Sequence, residues 1–186
     1  MRTIPVRRAS LARSTPRFIS ITSPEFGVQG LFGSAAAPAS GPWIGANDPV
    51  AVPFTLKDAA TVYQFAWMNG TSVGDGVDMG IYDLAFNRLA SIGGVTAAGT
   101  ASGWEFNNIA DVTLAAGRYY LAMARDVTTA NRAAFWPTTA LANIMAALGV
   151  FDSATDAYPL PNPLTNMALA ATQTRYPIMG MMARAT

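Results

Sequence analysis

From Val50 onward the apolar residues fall in short runs that alternate with polar ones and stop at turn residues, a pattern of antiparallel strands rather than helices. Val77–Asp83 alternates most cleanly, with Val77, Met79 and Ile81 on one face and Asp78, Gly80 and Tyr82 on the other. Val50–Leu56 contains Pro53, which cannot donate to a ladder and predicts an edge position. Thr61–Met68 is rich in β-branched and aromatic residues and ends at the turn signal Asn69-Gly70. Arg88–Ile92 follows the short loop Leu84–Asn87 as the second arm of a hairpin. Trp104–Ile109 and Asp111–Leu114 read as two shorter strands, Arg118–Arg125 puts Tyr119, Leu121 and Met123 on one face, and Ala133–Trp136 closes the run. Helical spacing occurs once: Leu141, Ile144, Met145 and Leu148 predict a helix over Thr138–Leu148, with Gly149 as its C′ residue. Beyond it, the prolines of Tyr158–Leu164 predict an extended segment, and Tyr176–Met182 returns as a final strand or an apolar strap.

Upstream of Val50 the pattern differs. Residues 27–49 are rich in Gly, Ala, Ser and Pro and show no periodicity, as in a linker or draped loop. Residues 1–26 carry Pro5, Pro16 and Pro24, which break any helix, between apolar anchors such as Ile4, Val6, Leu11, Phe18, Ile19 and Ile21. The expected organisation is an extended N-terminal arm (1–26), a linker (27–49), a β-sandwich body (50–136), and a short helix with an apolar strap packing on the body (137–186). The fold class is all-β: a jelly-roll-like antiparallel sandwich with one short C-terminal helix.

Charge sharpens the view of the arm. The 186 residues hold 12 Lys+Arg and 11 Asp+Glu. Arg2, Arg7, Arg8, Arg13 and Arg17 fall among the first 17 residues with no acid among them, so a basic arm joins an acidic body. An Arg- and Ser-rich, acid-free start also fits a transit peptide, and Arg7-Arg8 a twin-arginine signal, but no apolar stretch follows the pair. A docking arm fits better. A nucleic-acid contact is the competing use of its arginines, yet the arm lacks aromatic interleaving before Phe18, and phosphate would repel the body.

Composition narrows the chemistry. Only 12% of residues are charged and 51% are hydrophobic, an apolar surplus that a small sandwich cannot hide alone and that points to interfaces. With no His and no Cys, Ser-His-Asp and Cys-His nucleophile systems, disulfides and the usual zinc, haem and iron–sulfur sites are excluded. No cofactor is expected. No run of apolar residues is long enough to span a bilayer as a helix. Carboxylates remain: Asp75, Asp78 and Asp83 lie close together, but they lack the spacing and distal Glu of a calcium loop, and turn capping suits them better. These acids, or Glu105 with Asp111, would need a defined separation across a cleft to act as a glycosidase pair. Of the aromatics, Trp67 and Tyr119 read as core, whereas Trp43 in the linker and Trp136 at a strand end are the exposed candidates for ligand or interface contact. Met167, Met179, Met181 and Met182 suggest an adaptable apolar surface.

Trp67–Ile92, with its N-G turn, V-D-x-G-I-Y-D and R-L-x-S hairpin, and Leu114–Ala124, an L-x-x-G-x-Y-Y-L-A strand, resemble β-sandwich structural proteins of tailed bacteriophages, namely head-decoration, cement or tail and fibre-associated proteins. The resemblance covers about half of the chain and consists of strands and turns without catalytic residues. It implies a non-enzymatic virion protein that clamps neighbouring copies of the major capsid protein, or another virion protein, and that forms a homotrimer. On this reading Arg2, Arg7, Arg8, Arg13, Arg17 and Phe18 meet the partner. The alternative is an attachment module on a tail or head fibre that binds host polysaccharide through Trp43 and Trp136.

Overall fold

The computed structural model describes residues 15–20, 23–26, 39–45, 47–126, 131–137, 148–153, 158–170 and 175–186. Among these the fold is all-β, with only antiparallel pairing. The strands are β1 (Arg17–Ser20), β2 (Ala39–Gly41), β3 (Val50–Leu56), β4 (Ala60–Met68), β5 (Gly76–Tyr82), β6 (Arg88–Ser91), β7 (Val95–Thr96), β8 (Trp104–Leu114), β9 (Gly117–Arg125), β10 (Ala133–Pro137), β11 (Phe151–Asp152), β12 (Ala168–Leu169), β13 (Arg175–Pro177) and β14 (Met179–Ala185). They form three sheets: β1-β14-β4-β8, β12-β11-β3-β9-β5-β6 with β7 on β5, and the small β13-β10-β2.

The two large sheets face each other because each strand presents alternate apolar side chains inward. Val52, Phe54, Met79, Ile81, Leu121 and Met123 from the second sheet share one buried cluster with Ile19, Val62, Phe65, Trp67, Met179 and Met181 from the first. Register keeps the inward sets aligned, with Ile81 opposite Leu121 and Met181 opposite Phe65. A one-residue slip in either ladder would turn those side chains to the wrong face.

Several elements differ from the sequence expectation for identifiable reasons. Pro53 pairs with Tyr120 of β9, and β11 covers β3 only at Val50 and Ala51, so β3 is interior at its start and an edge where the proline sits. The two strands expected over Trp104–Leu114 are one strand, whose register shift against β4 falls between Val62 and Gln64 and absorbs the break in alternation. Ala133–Trp136 does not close a large sheet; it is the centre of the small one, tied to the first by Met68 N–H donating to Ile178 C=O and Ile178 N–H to Ala134 C=O. The C-terminus takes the strand alternative, β14 lying between β1 and β4. The helix expected over Thr138–Leu148 falls outside the described residues except for Leu148, which lies in a turn with Gly149, whose φ is 75°.

The second sheet is buried on both faces. Its outer face, with Tyr82, Tyr120, Ala122 and Ala124, is covered by Leu160 and Leu164 of the proline-rich segment. All seven residues of β5 are buried in consequence.

Candidate interaction face at the arm root

The N-terminal part of the chain enters the first sheet at Arg17. Its β1 pairs with β14 over four residues, Phe18 opposite Met182 and Ile19 opposite Met181, which sends Ile19 into the core and Phe18 to the outer face. A tight connection follows. Ser23 accepts from Ser20 N–H through its hydroxyl at 2.9 Å and donates its own N–H to Ser20 C=O at 2.7 Å. The short 3-10 turn Pro24–Phe26 then drops Phe26 onto Phe54, ring centroids 5.4 Å apart. Arg17 reaches back to Glu25 at 2.8 Å, an exposed ion pair contributing at most about 1 kcal/mol. A surface cavity of about 330 Å³ opens beside this root, lined by Arg17, Glu25, Thr55, Lys57 and Asp58.

On the outer face Phe18 crosses the sheet instead of turning to solvent. Its ring meets Trp104 edge-on at 5.0 Å and Phe106 at 6.0 Å, both on β8. Small residues in the intervening strands make that crossing feasible. A Cβ on Gly180 would stand 2.9 Å from the Phe18 ring and 2.7 Å from Ile19 C=O, and Ala66 lies opposite both Gly180 and Phe106 in the ladders. The three rings remain partly open, Phe18 and Trp104 at 38% and Phe106 at 47%. No charged residue occupies the rows between them. The arrangement can hold an apolar partner surface.

The candidate residues divide accordingly. Arg17 and Phe18 sit together at the root; Arg2, Arg7, Arg8 and Arg13 lie outside the described residues. Trp43 is a correction to the sequence reading: it is 2% exposed, stacks on Phe135 at 5.8 Å and donates Nε1–H to Asp48 C=O at 2.8 Å, so the supposed linker contributes a core side chain. The backbone of Trp136 belongs to β10, and its side chain lies outside what the structure describes. Trp104 and Phe106 were legible only as strand residues, since alternation alone does not say which face is covered.

The carboxylates singled out by the sequence are each engaged elsewhere. Asp75 Oδ2 accepts from Arg125 Nη1 at 2.7 Å, both side chains being buried, and burial lowers the affinity of that guanidinium for its proton. Asp78 accepts from Leu160 N–H at 2.8 Å, Ser91 Oγ at 3.0 Å and Gly93 N–H at 3.2 Å; burial raises its pKa against these hydrogen bonds. Asp83 caps the β5–β6 turn through Asn87 and Ala85, and those hydrogen bonds hold its pKa low. Glu105 accepts from Asn69 Nδ2 and the N–H groups of Ala98 and Gly99, while Asp111 pairs with Arg184 at the surface. Among the described residues no three such acids converge in a metal-ligating group.

Comparison with known proteins gives no match to a family model, to a characterised protein or to a solved structure.

Proposed function

We propose that this chain is a non-enzymatic structural subunit of a bacteriophage virion, a capsid decoration or cement protein that clamps neighbouring capsid subunits through its basic N-terminal segment. The observation that carries the reading is the anchoring of that segment. Arg2 to Arg13 lead directly into β1, an edge strand fixed by Ile19 in the core and Phe18 against Trp104 and Phe106. A segment rooted in this way can transmit load from a partner to the sandwich without unfolding it. The chain's crossings between the large sheets, β3 to β4, β4 to β5, β7 to β8 and β8 to β9, support a jelly-roll-like description, and the apolar surplus suits a virion component that meets other copies of itself on the major capsid protein.

The polysaccharide-binding alternative loses one of its two aromatics, because Trp43 is a core residue.

The test is deletion of residues 2–14. A larger deletion through Phe26 would remove β1 and a core phenylalanine, and so would test folding instead. The shortened protein is expected to keep its β-sheet circular dichroism and to lose occupancy on capsids. Undiminished occupancy would overturn the proposed role of the segment.

A further inference from the structure

The edge of β8 is the longest strand edge without a ladder partner among the described residues. This strand has 11 residues, whereas the other edge strands are blunted: β6 has 4, β2 and β13 have 3 each, β7 and β12 have 2 each, β1 has 4 beginning at Arg17, and the part of β3 that β11 leaves uncovered carries Pro53. Its flat part, Trp104–Asn108, precedes the register shift. Hydrogen bonding fixes which backbone groups face outward. Asn69 N–H donates to Gly103 C=O, whereas Met68 N–H points the other way, to Ile178 C=O. In an antiparallel ladder this alternation turns the N–H and C=O of Trp104, Phe106 and Asn108 away from β4. These are also the residues whose side chains stand on the open outer face.

We infer that this edge binds the same edge of a second copy of the chain, antiparallel and centred on Phe106, joining two four-stranded sheets into one of eight. Three features of the edge favour a second copy over an unrelated strand. The outward-facing backbone groups at 104, 106 and 108 are symmetric about 106, so a two-fold axis there lets Phe106 pair with its counterpart and Trp104 with Asn108, giving about six backbone hydrogen bonds. The same register sets Glu105 opposite Asn107 of the other copy, an acid against an amide, whereas centring on Glu105 would oppose two half-buried acids. The outer-face side chains that meet, Trp104, Phe106 and Asn108, carry no charge, and the half-exposed ring of Phe106 lands against its own copy as a cross-strand aromatic pair. The contact shares Trp104 and Phe106 with the seat of Phe18 but needs neither the basic segment nor a capsid, so a chain lacking residues 2–14 should still dimerise even if it no longer binds capsids.

Sedimentation velocity of the full chain tests it, with amide hydrogen exchange on the same samples. The natural chain is expected to dimerise, with the amides of Trp104, Phe106 and Asn108 protected as concentration rises. Phe106→Lys and Phe106→Glu each set like charges at the axis and are expected to weaken the dimer roughly a hundredfold. An equimolar mixture of the two should dimerise again, while circular dichroism reports that each variant is folded. A natural chain that stays monomeric overturns the inference. So does a dimer unaffected by Phe106→Lys, or one in which those three amides exchange as freely as at high dilution; these two wild-type readouts hold even if a variant fails to fold.

Discussion

Arg125 and Asp75 meet at the end of the core through one hydrogen bond, leaving Arg125 Nε and Nη2 and Asp75 Oδ1 without partners among the described residues. Arg125 lies directly opposite Val77 in the ladder and therefore points inward, so its charge is removed from water with incomplete repayment. Two consequences follow for stability. Asp75→Ala, which strands the guanidinium, is expected to cost about 3–5 kcal/mol in urea unfolding. Asp75→Leu combined with Arg125→Met is expected to cost much less than the sum of Asp75→Leu and Arg125→Met made singly, giving a large coupling energy in a double-mutant cycle; additive losses would mean the pair is not coupled. Asp78 makes the complementary case for pH. Its folded pKa lies above the ordinary carboxylate value, so the folded state binds a proton more readily than the unfolded chain. The stability this contributes is present below the unfolded pKa of about 4 and is lost as pH rises through the folded value. The stability of the natural chain relative to Asp78→Asn should therefore increase as pH falls from 7 toward 4; a constant difference would show that Asp78 does not titrate in that window. The comparison with Asp78→Asn is needed because Asp83, with its lowered pKa, acts in the opposite direction.

At the scale of elements, the local patterns were readable and the long-range coverings were not. Alternation in Val77–Asp83 correctly assigned Val77, Met79 and Ile81 to one face. It could not reveal that the other face is also buried, because the cover comes from Leu160, whose N–H meets Asp78 from 82 residues away. The proline-rich segment is held further by Tyr82 donating to Pro161 C=O at 2.8 Å and Arg88 to Leu160 C=O at 2.6 Å. Trp43 was misjudged for the same reason: its Gly/Ala/Pro-rich surroundings look like a linker, and the ring it stacks on, Phe135, is remote in sequence. The seat of β1 was illegible because it depends on a glycine in another strand. Gly180→Ala places a methyl against Ile19 C=O, the Phe18 ring and Ser20 Cα. Overpacking of this kind costs about 1–3 kcal/mol, and here the cost falls on one edge strand. The variant is expected to be cut faster by trypsin after Arg17 while the remaining sheets keep their protection; cleavage at the natural rate would show that β1 tolerates the methyl.

Over the whole molecule, charge is segregated in a way that near-zero net charge conceals. Arg2, Arg7, Arg8 and Arg13 precede β1 with no acid among them, whereas the rest of the chain carries more acids than bases. The outer aromatic face carries no charge, Glu105 on the β8 edge is held by Asn69 and the N–H groups of Ala98 and Gly99, and Asp111 and Arg184 neutralise each other beside them. Copies of the sandwich can thus approach through uncharged sheet, while on the proposed function the basic segment meets a different, acidic surface. The two contacts should then separate experimentally by salt. Exposed charge pairs are screened within about 8–10 Å at physiological ionic strength and are worth about 0.2–1 kcal/mol each. On the proposed function, with all four arginines engaged, their replacement by Gln should weaken attachment to the particle by about 1–4 kcal/mol and flatten its dependence on salt. Self-association through β8, resting on backbone hydrogen bonds and aromatic burial, should be unchanged in the same variant. Attachment that keeps its full salt dependence after the four replacements would place the electrostatic contact elsewhere on the chain, with Lys57 and Arg17 beside the root cavity the next residues to replace.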